Sequence, residues 1–441
     1  MSSTAFIDLR INNAEQFKES ITEPSPNTVL YITYGKTDSW DANDSPTVAN
    51  SSIATRYEIW DNMIGAKRLF GGDLFHVIPR YNWVSGNTYT AYDHINTNLF
   101  DGSTQFYVMN EDFSVYKCIS NANGSISTVE PTSVNPQISS YTSDGYIWKY
   151  MYTISDSEQI RYTTENYIPV KTLTIDDGSL QWQVQSYATP GSIDFIELTN
   201  AGSGYSNASS ITITISGDGT GATAEATINS ISETVDTIVI TDSGTGYTYA
   251  TVSIEDIYGS GASARAIISP IGGHGSDPLY ELGGKNIMIN TQIRYDEDGQ
   301  IIADNDFRQI SIIKDPYTYA TSNIATYRLV NQCMMLTLSG TGNYKKDEKV
   351  YQGVSLSNSI FSGRVVTWDE ANNNLYLINT IGSPRASQSL IGLESFASRV
   401  VSSIDYGDLK KYSGKILYVD NIEPIQRSLD QIEDIKIVVK F

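Results

Sequence analysis

The sequence predicts a mainly β protein: an α+β core with few short helices, carrying inserted small β-sandwich or barrel modules. Three observations predict it. The stretch Ile193–Ser269 repeats itself, with Asp194, Ile196, Thr199, Gly202, Gly204 and Tyr205 recurring at one offset as Asp236, Ile238, Thr241, Gly244, Gly246 and Tyr247. Self-similarity at about 40 residues marks a duplicated structural unit. Charged residues are sparse at 18%, while Tyr reaches 30 copies and Gly 33, the usage of strands and the turns between them. Apolar residues alternate with polar ones at Ile211, Ile213 and Ile215, and again at Val252 and Ile254, the period of a half-buried strand.

Taken in order, residues 12–20 predict a short helix capped by Asn12 or Asn13, with Phe17 inward. Beyond Pro24 and Pro26, Thr28–Tyr34 reads as a strong strand ending at Gly35, and a polar loop holding Trp40 follows. Ile53, Tyr57, Trp60 and Ile64 fall at helical spacing, so residues 48–65 predict a helix stopped at Gly65. Leu74–Ile78 predicts a short strand closed by Pro79, ahead of Arg80 and Trp83. Strands are expected at Gln105–Asn110 and Ser114–Ile119 around a Glu111-Asp112 turn. A loop covers 121–143, and Asp144-Gly145 opens the aromatic strand Tyr146–Ile154.

Residues 161–190 lead into the repeat, where each copy reads strand, Gly-x-Gly-Tyr turn, strand, glycine turn, strand. Glycine supplies the positive φ of such tight reversals, and Tyr205 and Tyr247 are placed to lay their rings over the next strand. Gly272-Gly273-His274-Gly275 leads out, and strand returns at 307–314. Short strands with hairpin turns between about 330 and 400 fit a small five-stranded barrel. Lys415–Asp420 and Ile435–Phe441 supply the final strands. The expected organisation is a core of 1–190, 272–329 and 401–441, interrupted by the repeat at 191–271 and the barrel-like insertion at 330–400.

A net charge of −21 argues against wrapping nucleic acid, which needs basic stripes. No window approaches the roughly 20 apolar residues of a membrane span, and Met1–Arg10 lacks the basic start and apolar run of a signal peptide. Cys118 and Cys333 sit in apolar surroundings without metal spacing, so buried free thiols are expected.

The chemistry-bearing residue types form no constellation. His76 lies in the apolar run LFHVIP and reads as a satisfied core histidine; His94 is in a polar loop. His274 stands between glycines with Ser276 and Asp277 beside it, yet triads are gathered by the fold rather than by adjacency; a glycine hinge leaving the insertion is the plainer reading. Gly217-Asp218-Gly219-Thr220-Gly221 reads as a β-turn rather than a phosphate loop. Asp296-Glu297-Asp298-Gly299 lacks the spaced ligands of a calcium loop. No catalytic, cofactor-binding or metal-binding residue is expected, and no cofactor.

Several segments, in order, resemble the peripheral baseplate wedge subunit of T4-like contractile-tailed bacteriophages. They are Asn27–Tyr34 with Gly35 and Trp40; Val77-Ile78-Pro79-Arg80 with Trp83; Val115-Tyr116-Lys117-Cys118; Asp144-Gly145-Tyr146-Ile147-Trp148; Phe307–Ile313 (FRQISII); and Gly414–Tyr418 with Pro424 and Ile435–Phe441. The resemblance spans about 27–168, 305–318 and 405–441; the repeat and the second insertion depart from it. It implies a structural protein rather than an enzyme, forming a homodimer and binding neighbouring wedge subunits in the virion tail, after assembly in the host cytoplasm. Interface anchors expected on that basis are Trp40, Arg80, Trp83, Tyr146 and Trp148, since aromatic residues and Arg dominate interface hot spots; a place in the core suits Trp148 equally well. The alternative is a glycan- or receptor-binding tail protein using the duplicated β module.

Overall fold

The computed structural model describes residues 6–441 apart from 24–27, 103, 295–296, 298–300, 303–304 and 429–430. Strand outweighs helix 44% to 14%, so the mainly β class is the one that forms. The chain divides into two compact units, Met1–Glu15 with Phe75–Met288 and Val438–Phe441, and Gln16–Leu74 with Ile289–Ile437. The core expected as one discontinuous domain is thus shared between two units, with the repeat in the first and the barrel in the second.

In the second unit a five-stranded sheet runs in the order Leu329–Asn331, Met63–Leu69, Leu30–Gly35, Asp306–Lys314, Lys415–Gln426. Leu30–Gly35 is buried at every position, as a central strand covered on both faces requires. The helix expected over 48–65 forms only at Ile53–Asn62, with Ser52 accepting from the Thr55 N–H as its cap. Its buried positions are Thr55, Ile59 and Trp60, whereas Ile53 and Tyr57 are exposed. From Met63 the chain turns into a strand because Met63 pairs with Gly35 and Ala66 with Thr33. Sheet pairing overrides helical periodicity there. Gly35 has no room for a side chain: a Cβ would sit 2.2 Å from the Asn62 carbonyl oxygen.

The barrel of this unit closes with six strands, not the expected five: Met334–Ser339, Asn374–Gly382, Ser359–Asp369, Lys349–Gly353, Ser389–Gly392 and Ser398–Asp405. The last continues past residue 400. Alternate residues fill the interior, among them Leu336, Val350, Phe361, Val365, Leu375, Leu390 and Val401.

The N-terminal helix spans Ile7–Thr22, longer than the predicted 12–20, with Asn12 and Asn13 exposed in its interior rather than capping it. In the first unit, Tyr107–Met109, Ser114–Asn121, Tyr146–Thr153 and Ser140–Tyr141 make a four-stranded sheet. Two helices, Asp156–Tyr162 and Leu180–Tyr187, form in the span leading to the repeat. The Ser155-x-x-Glu158 spacing marks the first, the Glu158 carboxylate accepting the Ser155 N–H at 3.1 Å.

The repeat is one body built from two interlocked copies. Its six strands are Ile193–Ser203, Thr212–Gly217, Thr223–Asn229, Thr234–Asp242, Ala250–Glu255 and Ser260–Ile268. Each pairs with a strand of the other copy: first with sixth, second with fifth, third with fourth. One apolar core, holding Ile193, Ile196, Val235, Ile238, Ala266 and Ile268, serves both copies. The two turn tyrosines are its pivots. Tyr205 lies on Gly259 and Tyr247 on Gly219, each ring covering the glycine turn of the other copy. Their hydroxyls accept from the Ala262 and Ala222 N–H groups.

Candidate functional site

The expected interface residues separate into two groups. Tyr146 and Trp148 are fully buried; their rings stack at 5.4 Å and Tyr89 packs edge-on against both. They offer no surface, because their strand is covered on both faces, and the expectation that they anchor a partner is corrected to a core role. Trp40, Arg80 and Trp83 are partly exposed. Trp40 donates to the Ile422 carbonyl at 2.9 Å and carries the Lys36 ammonium over its ring. Arg80 donates to Asn82 Oδ1 and the Thr164 carbonyl, and Trp83 to Ser127 Oγ. Each is oriented by its own fold with part of its surface left over.

The other expectations resolve locally. His76 is buried with Nδ1 2.9 Å from the Gly284 carbonyl, a satisfied core histidine. His94 Nδ1 accepts from the Ile268 N–H. Asp218, in the first glycine turn, accepts from the Thr248 and Tyr249 N–H groups and the Thr248 hydroxyl, so the turn serves the fold. Of Asp296-Glu297-Asp298-Gly299 only Glu297 lies within the described residues, and it pairs with Lys67. Cys118 and Cys333 are buried free thiols, and burial pushes both up in pKa. No group of three or more His, Cys, Asp or Glu side chains is gathered among the described residues as a metal would need. No helix among them is long and apolar enough to cross a membrane.

One site the sequence did not reveal lies in the first unit. Behind Gly272–Gly275 a polar cavity of about 320 Å³ is lined by Lys149, Ser192, Asp194, Ser243 and His274, with Tyr141 and Tyr187 among its walls. His274 is held there by the glycines around it. Gly273 has φ 98 and its Cβ would meet the Thr189 backbone at 2.5 Å, while a Cβ on Gly275 would strike Val184 at 2.4 Å. Only glycine passes both points. The next residues are fixed by Glu281, whose Oε1 accepts from the Gly275 and Asp277 N–H groups. Its Oε2 accepts from Lys117 Nζ at 2.7 Å in a wholly buried ion pair.

Neither ring nitrogen of His274 has a hydrogen-bond partner among the described residues. Nε2 lies 3.8 Å from Asp194 Oδ2, beyond hydrogen-bond range. Burial, aided by the nearby Lys117 and Lys149 ammonium groups, holds the ring well below its usual value near 6.5. It is therefore a neutral imidazole, with one donor and one acceptor to offer. Asp194 accepts from the Ser192 and Ser243 hydroxyls. Lys149 Nζ donates to the Pro136 and Gln137 carbonyls at 3.0 and 3.1 Å.

No protein-family model matches the sequence, and no curated protein is significantly similar to it.

Proposed function

We propose that this chain is a structural subunit of the baseplate wedge of a contractile-tailed phage, acting as a homodimer that binds neighbouring wedge proteins. The observation that carries the reading is where the resembling segments lie. Leu30–Gly35, Phe307–Ile313 and Lys415–Tyr418, widely separated in sequence, are adjacent strands of one sheet, with Tyr31 opposite Ile313 and Ile312 opposite Tyr418. Val115–Cys118 and Tyr146–Trp148 are likewise partners, with Cys118 opposite Trp148. The ordered motifs thus make up the cores of the units, while the departures from them are the self-contained repeat and barrel. Within Phe307–Ile313, Arg308 forks onto Asp44 with two 2.8 Å bonds and reaches the Thr37 carbonyl, a reason for Arg at that place.

The wedge reading predicts that the chain is found in purified, DNA-free tails at a fixed ratio to the other baseplate proteins by quantitative mass spectrometry. Its absence from tails that contain a complete baseplate contradicts the reading.

The cavity favours a second reading, a glycan-binding tail protein, because the repeat supplies Asp194, Thr241 and Ser243 to its walls.

A further inference from the structure

We propose that the cavity formed by the repeat and the Gly272–Gly275 turn is a binding site for a neutral sugar, the terminal one or two residues of a glycan. The proposal deepens the glycan-binding reading and does not depend on the wedge role.

The site is built rather than incidental. His274 is 4% exposed and leaves both ring nitrogens unpaired among the described residues, an arrangement costly to keep unless something completes it. Lys149, also buried, spends two of its three donors on carbonyls. Asp194 brings a carboxylate to the same space, braced by two serine hydroxyls. An anion would face that carboxylate, and a cation would face the Lys149 ammonium. A ring of hydroxyls, each both donor and acceptor, matches a wall that alternates in the same way.

The aromatic component fits as well. Tyr141 and Tyr187 line the cavity while remaining 58% and 48% exposed, which gives apolar faces to the C–H side of a sugar ring. The volume is at the small end for small-molecule clefts, suited to a sugar residue and too small for a folded partner.

The duplication supplies an internal control. Asp236 occupies the position in the second copy that Asp194 holds in the first, yet it is exposed and lines no part of this cavity. The cavity forms where Asp194 of the first copy and Thr241 and Ser243 of the second come together with Tyr141, Tyr187 and His274.

Saturation-transfer NMR on the full chain with glucose, galactose and N-acetylglucosamine, each at millimolar concentration, tests this. At least one sugar should receive saturation from the native protein. Asp194→Asn and Tyr187→Ala should each weaken binding by about tenfold, the loss of one strong contact, while Asp236→Asn leaves it unchanged. Tyr187 is half-exposed, so its variant keeps the test valid if the Asp194 change disturbs folding. The proposal is overturned if no sugar receives saturation. It is also overturned if binding survives both Asp194→Asn and Tyr187→Ala, or if inorganic phosphate, followed by its own resonance, binds where the sugars do not.

Discussion

At the scale of single residues, buried and half-buried polar groups fix the course of several turns. Glu281 ties together Lys117 and the turn carrying His274, and removing one member of a buried pair strands the other. Asp144 shows the same logic in a turn. Partial burial alone would raise its pKa, but bonds from the Thr142 hydroxyl and from the Thr128, Val129 and Tyr146 N–H groups outweigh that and bring it to about 2. The Asp of the Asp-Gly-Tyr-Ile-Trp segment is therefore the clasp for the loop before it. His274 gives a pH prediction. The unfolded chain protonates this ring near pH 6.5, while the folded chain holds it neutral. Its contribution to stability is therefore complete above that pH and is lost as pH falls below it, by up to about 1.4 kcal/mol per pH unit. His94, also depressed by burial, adds a contribution of the same sign. Urea midpoints measured between pH 7 and 5.5 should fall for the native chain and fall less steeply for His274→Gln; equal slopes would contradict the assignment.

At the scale of elements, the sequence was most legible where a local rule decides the outcome. Gly-x-Gly-Tyr announced both turns of the repeat, and the alternating isoleucines announced its strands. The partners of those strands were hidden. Pairing first with sixth and second with fifth is a non-local choice that turn residues do not encode. The same limit explains the helix at 53–62, where the periodicity of Ile53, Tyr57, Trp60 and Ile64 predicted a longer element and pairing with Leu30–Gly35 cut it short. Adjacency offers His274 only Ser276 and Asp277, which makes a hinge the plainer reading; its spatial neighbour Asp194 begins the repeat. The signal that pointed to it was the glycines around it, which are required at Gly273 and Gly275 by close backbone and side-chain approach. The interlock of the copies can be tested at its pivots. A Cβ at Gly219 would lie 2.4 Å from the Tyr247 ring, and one at Gly259 would lie 2.5 Å from the Tyr205 ring. Gly219→Ala and Gly259→Ala should each cost about 1–3 kcal/mol in chemical denaturation. Their costs should also be similar, because the two turns are equivalent. A neutral effect at either would show that the rings do not rest on these turns.

At the scale of the whole molecule, the first unit carries the interlocked repeat and the second the closed barrel. A chain of net charge −21 repels its own copies except at specific patches, and the partly exposed Trp40, Arg80 and Trp83 are where the wedge reading places such contacts. Tyr146 and Trp148 have left that list for the core. Assembly and sugar binding are separable properties in this account, since the cavity lies in the first unit and uses none of those three residues.

Membership of a multi-subunit wedge is tested by the light-scattering mass of the purified chain, alone and then mixed with the other wedge proteins of the same phage. A dimer that passes into a larger complex of fixed stoichiometry is the expected result. A monomer whose mass is unchanged by those proteins would contradict it.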